Sequence, residues 1–332
     1  MLVGSLCCKN RDRREIPVEE CLEHCLSGNN YCGTPYELQR MLFEGVQDRK
    51  LRLSTTSILD KCDRQEWYKR KTDYAVDPAT LYSAQRGTLI HAKMESHQHP
   101  RMVAEHRYIM DLDEDSSFSC QPDLIDPVNG VMSDYKSAAE TPVFDYPWPD
   151  HKMQLFVNRW VVDNAHTVVT PDGEAIDLRG PEREKYVPRE WTKLVVVYLA
   201  IKNFKPIACT RSIQVEAKGG GFKNVRVPDI GDDDEIESFV RTRYMEVSTA
   251  LQNDEPPSLT EKYRTMTHPL CQYCPFREDC FDTEVQRAMS KRLEDSLKEM
   301  SCQQNRLDSS SLNSQTMKAS PVSPSGDEPG KS

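Results

Sequence analysis

The sequence predicts a mixed α/β fold, a central mixed β-sheet flanked by helices, from three observations. The runs FSCQPDLID and GVMSDYKSA flank PVNG, whose Asn129 and Gly130 are turn residues, so the pair reads as a β-hairpin. HKMQLFVNRWVVDNA, just beyond it, places Met153, Phe156, Val157, Trp160 and Val161 at helical spacing, which predicts a helix packed on the sheet. TKLVVVYLAI is a continuous apolar run of strand length and reads as a buried strand.

The other elements follow in chain order. Residues 1–50 form a cysteine-rich lead. In IPVEECLEHC, Pro17 suits a first helical turn and Cys21 and Cys25 fall on one helix face; CGTPYELQRML reads as a packed helix. Residues 51–285 read as the main domain. STTSILDKC leads into a capped helix through CDRQEWYKR, and a second helix crosses QRGTLIHAKMES. Residues 165–190 lack periodicity and read as an inserted loop. TRSIQVEAK is a further strand and IESFVRTRYMEVSTALQ a further helix. Residues 286–300 have helical composition, and residues 301–332 are Ser-, Gln-, Pro- and Gly-rich with little to bury, which predicts a disordered tail.

The bulk numbers exclude some functions. With 332 residues, 37% hydrophobic, 29% charged and a net charge of −10, the chain reads as a soluble, acidic protein with enough length for a sizeable core. No run of eighteen apolar residues exists, so no membrane partner is expected. The start, MLVGSLCCKNRDRREIP, does not fit a signal peptide, which predicts a cytoplasmic protein. In a reducing compartment twelve cysteines point to metal sites rather than disulfides. Lys61, Arg64, Lys69 and Arg70 gather around Trp67 and Tyr68; the cluster reads either as a solvated helix face or as a contact to a DNA backbone with stacking on a base.

Two motifs carry chemistry. Period-two alternation sends Asp134 and Lys136 to one sheet face, and Asp123 can approach it across the hairpin. Two carboxylates and an ammonium meeting at one point suit a hard divalent cation, Mg²⁺ or Mn²⁺, and phosphodiester hydrolysis, with Lys136 orienting water and stabilising phosphate charge. Exposed hairpin charge is the bland alternative. In AEHRYIM, Glu105 reads as an exposed strand residue more readily than as a site acid. The second motif is CQYCPFREDC, which spaces Cys271, Cys274 and Cys280 as ligands for a metal or cluster and leaves a fourth thiolate to be found.

The order of Gly87 and His91 in RGTLIH, Asp123, Asp134-x-Lys136 and Gln154 in HKMQL resembles the RecB-like branch of the PD-(D/E)XK nucleases. The likeness extends to the cysteines. In the iron–sulfur branch, similar to the CRISPR-associated adaptation nuclease and the AddB-type repair nucleases, one cysteine precedes the core and three follow it; Cys62 in SILDKCDRQEWY stands in the first position. Over about residues 54–283 the resemblance implies a restriction-endonuclease-like core closed by a four-cysteine iron–sulfur cluster, 4Fe-4S, on Cys62, Cys271, Cys274 and Cys280. It implies metal ligation by His91, Asp123, Asp134 and the Tyr135 carbonyl, catalysis by Lys136, and a positioning or DNA-contacting role for Gln154. Asn158 departs from the family, which has an aromatic residue there. Zinc is the rival for the four cysteines, and a buried apolar role is the rival for Cys62.

Cys21, Cys25 and Cys32 read either as a second site, for Zn²⁺, or as the buried face of a short helix. The expected activity is that of a metal-dependent DNA nuclease, an exonuclease on single-stranded DNA. The alternatives are a non-catalytic DNA-binding or assembly subunit, and a zinc-stabilised partner-binding protein. The chain contains no GxxxxGK[ST] motif, so unwinding would fall to a helicase or other nucleic-acid-processing partner.

Overall fold

The computed structural model describes residues 2–5 (backbone), 16–27, 34–44, 53–59, 62–97, 99–138, 140–216, 222–259, 271, 274–283, 285 and 288. The chain forms two compact units, Met1–Phe276 and Arg277–Ser332.

The first unit opens with β1 (Leu2–Ser5), β2 (Ile16–Pro17), α1 (Val18–Leu26) and α2 (Tyr36–Glu44). Pro17 stands at the N-cap of α1, and Cys21 and Cys25 are both buried, as their spacing predicts. Then come α3 (Thr55–Leu59), α4 (Asp63–Lys71), β3 (Tyr74–Val76) and α5 (Pro78–Glu95). The expected side-chain cap of α4 is absent: Cys62 occupies the N-cap and makes no cap bond. Instead, Asp63 and Glu66 in its first turn and Lys69, Arg70 and Lys71 in its last complement the helix dipole. β1 pairs with β2 and with β3, so the N-terminal lead is tied into this unit.

β4 (Val103–Ala104), β5 (Arg107–Asp111), β6 (Ser117–Cys120), β7 (Leu124–Asp126) and β8 (Val131–Ser137) follow. FSCQPDLID is thus two strands rather than one. Pro122 lacks the N–H that a continuing ladder requires, and the halves enter different sheets, β6 pairing with β5 and β7 with β8. The predicted hairpin forms between β7 and β8, with Leu124 opposite Ser133 and Asp126 opposite Val131. Gly130 closes it at φ 64°, and a Cβ there would lie 1.9 Å from the Glu190 carbonyl oxygen, so glycine alone lets the two backbones pass.

The rest of the unit is α6 (Pro149–Asn164), β9 (Thr167–Val169), β10 (Ala175–Asp177), α7 (Arg183–Tyr186), β11 (Lys193–Leu199), β12 (Phe204–Ala208), β13 (Thr210–Glu216), β14 (Phe222–Pro228) and α8 (Asp233–Gln252). The central sheet has the order β12-β11-β8-β7-β4 and is mixed, β8 and β11 being parallel and the other neighbours antiparallel. α5 packs on β8, while α6, the crossover from β8 to β11, packs on both of those strands and also on β5 and β6. Contact with two sheets explains why residues 155–162 of α6 are buried without interruption.

Residues 165–190 are not a loop. β9 and β10 extend a second sheet of order β10-β9-β5-β6, and strands of three residues are too short to show a period. Of TRSIQVEAK, residues 210–216 form β13, but in a separate, largely exposed pair with β14. The edge strand β12 was not foreseen. α8 starts on Asp232, whose carboxylate accepts the Glu235 N–H at 3.1 Å. Its Arg243 grips both carboxylate oxygens of Asp63 at 2.6 and 3.3 Å and the Ile58 carbonyl at 3.2 Å. The first unit ends with Phe276 packed between Tyr68 and Tyr74, ring centroids 5.3 and 4.9 Å away. In the second unit the described residues include a short helical stretch with Thr283 Oγ1 donating to the Asp279 carbonyl at 2.7 Å. Apart from Ala288, the predicted terminal helix and tail lie outside the described residues.

Candidate active site

β8 delivers Asp134 and Lys136 to one face, two residues apart, as period-two alternation requires. Their ion pair measures 2.7 Å, and Gln154 from α6 donates Nε2 to the other Asp134 oxygen at 3.1 Å. Asp134 is 2% exposed. Asp123 immediately precedes β7 and its carboxylate accepts the Tyr135 N–H at 2.5 Å, which fixes it against β8. His91, on α5, places Nε2 3.3 Å from the Tyr135 carbonyl oxygen and Nδ1 3.5 Å from Asp123. The predicted residues therefore do meet, in two adjoining groups rather than one. A Cβ on Gly87 would make only an ordinary contact with Ser137 at 3.5 Å, so that glycine is not dictated by space.

The residue that sequence reading set aside is Glu105. It joins β4 to β5 with φ 55°, a left-handed conformation costing a non-glycine residue roughly 1–2 kcal/mol. That conformation aims its carboxylate into the site: Oε1 is 3.2 Å from His91 Nδ1 and Oε2 accepts from Gln121 Nε2 at 3.0 Å. Arg107 in turn donates to Gln121 Oε1 at 2.7 Å. Among the described residues, His91, Glu105 and Asp123 bring three metal-ligating atoms within 4.8 Å of one another. The alternation of AEHRYIM contains no sign of this, because it turns on one backbone angle.

The electrostatics follow from burial and crowding. Asp123 is pushed up to about 7, first by burial and then by the charge of Asp134. Asp134 is also raised, by burial, with Lys136 opposing. His91 is held up at about 9, chiefly by its hydrogen bond to Glu105 against the opposing effect of burial. At neutral pH the imidazole is thus a cation donating to Glu105 and to the Tyr135 carbonyl. The crowded acids have carboxylate oxygens that are costly to ionise without further positive charge.

Of the predicted cluster ligands, Cys62, Cys271 and Cys274 lie in the first unit and Cys280 in the second. Cys274 is pushed up to about 11 by burial, with Cys62 and Cys271 adding to the rise, and Gln65 Nε2 sits 3.6 Å from its sulfur. Cys21 receives Gln39 Nε2 at 3.4 Å inside the protein; Cys32 lies outside the described residues.

The predicted DNA-contacting cluster needs correction. Trp67, Tyr68 and Arg64 are buried, Trp67 donating Nε1 to the Asn253 carbonyl at 3.0 Å and Tyr68 stacking on Phe276. Arg70 is paired with Glu66 at 2.9 Å and Lys69 is half-buried. Docking of the segments around Asn253 and Phe276 encloses these rings, so they offer no face to a base. Lys61 lies outside the described residues. Among those residues, no helix is long and apolar enough to cross a membrane.

No family model matches the chain, and no curated protein matches it. Among solved structures the chain is similar to one described as "Crystal structure of SSO0001", with 16% identity over 72% of this chain and 91% of that one and a TM-score of 0.39; a likeness at that level carries no argument.

Proposed function

We propose that the chain is a divalent-metal-dependent deoxyribonuclease of the PD-(D/E)XK kind that hydrolyses single-stranded DNA. One observation carries this reading: two acids and an imidazole from three chain segments crowd beside an acid–lysine–glutamine set, and burial together with the charge of Asp134 pushes Asp123 upward. Carboxylate oxygens and an imidazole nitrogen are the donors that Mg²⁺ or Mn²⁺ accepts, so the residues fit. His91, Glu105 and Asp123 would hold the ion, with Asp134 and the Tyr135 carbonyl beside them. When bound, it supplies Lewis-acid polarisation of the scissile phosphate and acidifies a water.

The protein's own groups supply the rest. Lys136, held 2.7 Å from Asp134, presents fixed positive charge to the phosphate as charge develops on it and a hydrogen bond to the attacking water. Gln154 fixes the Asp134 carboxylate, and Glu105 fixes the imidazole through Nδ1, leaving Nε2 for ligation once it loses its proton.

The restriction-endonuclease-like core and the iron–sulfur cluster belong to the same proposal. Cys62 and Cys271 lie near enough to Cys274 for their charge to bear on it, and thiols gathered in this way can be held as thiolates only by something strongly positive. Cys280 is the fourth thiol that the resemblance assigns.

The test is degradation of end-labelled single-stranded DNA in Mn²⁺ by anaerobically purified protein and by its Asp134→Ala variant, with iron and sulfide assayed on both. Cleavage by the first alone supports the reading. Absence of cleavage by either, with iron and sulfide present, would replace it with a non-catalytic DNA-binding role.

A further inference from the structure

Between β8, which carries Lys136, and α6, which carries Gln154, the chain runs through TPVFDYPWP, residues 141–149. Its large side chains face outward: Val143 is 89% exposed, Phe144 48%, Tyr146 54% and Trp148 44%. Phe144 and Tyr146 lie nearly parallel, centroids 5.1 Å apart and planes 20° apart. Leaving this much aromatic surface in water opposes folding, and a contiguous patch of it marks a site of interaction.

The loop is firmly held. The Ala138 N–H donates to the Leu199 carbonyl at 3.0 Å, and the Trp148 N–H to the Tyr198 hydroxyl at 3.0 Å. Between those ends Lys205 Nζ donates to the carbonyls of Pro142 and Phe144, at 3.2 and 2.9 Å, and pairs with Asp145 at 3.1 Å. Pro142 and Pro147 are buried, and their rings fix φ on either side of Phe144 and Tyr146. The rings are therefore presented in advance, with little ordering left for a ligand to impose.

We propose that Phe144, Tyr146 and Trp148 form a stacking platform for the bases of single-stranded DNA at the mouth of the candidate site, an inference that rests on the nuclease reading. Flat rings on a pinned loop match the bases of an unpaired strand, which stack on any aromatic face regardless of sequence. Position decides the occupant. Tyr198, whose hydroxyl accepts the Trp148 N–H, stands opposite Lys136 across β11 and β8, so the Trp148 end of the platform lies within a strand's reach of the lysine. A protein seated there would cover that approach.

The test uses a mixed-sequence single-stranded oligonucleotide of about 15 nucleotides, in EDTA so that it is bound and not cleaved. Trp67, Trp160 and Trp191 are 6%, 4% and 8% exposed, so Trp148 is the tryptophan a base can reach. Binding should quench wild-type emission, and Trp148→Phe should abolish the quenching. Phe144→Ala with Tyr146→Ala should weaken binding by roughly 10- to 100-fold, with the salt dependence unchanged because no phosphate contact is lost. Both side chains are exposed, so an unchanged melting temperature reports that the variant is folded.

Wild-type affinity retained by the double variant overturns the platform while leaving cleavage, and hence the nuclease reading, intact. Equal affinity of the wild type for a strand with abasic positions overturns it in the same way. A change in self-association with DNA affinity unaltered assigns the loop to a second copy of the chain instead. Failure of the wild type to bind DNA, in EDTA and again with Ca²⁺ in its place, removes the platform, while the cleavage assay in Mn²⁺ decides the nuclease reading separately.

Discussion

The two halves of the candidate site use similar side chains and differ in how charge is balanced. Asp134, Lys136 and Gln154 come from one strand and the helix packed on it; the carboxylate is enclosed and answered by an ammonium at 2.7 Å and an amide at 3.1 Å. His91, Glu105 and Asp123 come from a helix, a left-handed residue between strands and the residue before a strand, with two carboxylates to one imidazole. The first half neutralises itself. The second sets two carboxylates against one imidazole, and it is the half to which the proposal assigns the cation.

The largest effect that would sharpen this contrast is that of Asp134→Ala, expected to lower Mn²⁺-dependent cleavage of end-labelled single-stranded DNA by at least about a thousandfold. Survival of cleavage would remove the enclosed half from the chemistry. Gly130→Ala strikes the turn that joins the halves. Its Cβ meets the Glu190 backbone at 1.9 Å, so denaturant melts should show a loss of about 3 kcal/mol. Lys136→Met should cost roughly a hundredfold in cleavage while Mn²⁺ affinity by calorimetry holds or rises, because the competing ammonium is gone. A matching fall in affinity would place the lysine in the ion-binding half.

Glu105→Gln should weaken Mn²⁺ binding by roughly 10- to 100-fold. An unchanged titration would return Glu105 to a structural role. The smallest effect is on pH dependence. Asp123 rises from 3.8 to about 7 and His91 from 6.5 to about 9, so the folded protein holds more protons than the unfolded chain across that span. In metal-free protein the stability due to His91 is present below pH 6.5 and lost as pH climbs through 9, and ionising Asp123 erodes stability between 3.8 and 7. Mn²⁺ competes with those protons. It should therefore raise the melting temperature more near pH 8 than near pH 6, by a few degrees; a pH-independent rise would mean that the ion binds elsewhere.

Much of this was legible beforehand where the signal is local. The long periods of α6 and α8, the turn at Asn129 and Gly130, and the alternation that pairs Asp134 with Lys136 all lie within a few neighbouring residues. β9 and β10 were not legible, because three residues cannot establish a period. Glu105 was not legible either: its place in the site depends on φ 55° at one residue and on a histidine fourteen positions earlier on another element.

Two aromatic segments mark the boundary between the levels. Trp67 and Tyr68, set among basic residues, carry the composition of a nucleic-acid contact, yet packing of the segments near Asn253 and Phe276 buries them. Phe144, Tyr146 and Trp148 sit among prolines and an acid, and Lys205 from a distant strand holds their loop outward. The sequence alone determined the longer elements and which chemical groups are available, since dihedral preference and hydrophobic period act over a few residues. Tertiary structure alone decided which rings meet water and which acids share a site, because burial and charge crowding depend on contacts between segments far apart in the chain.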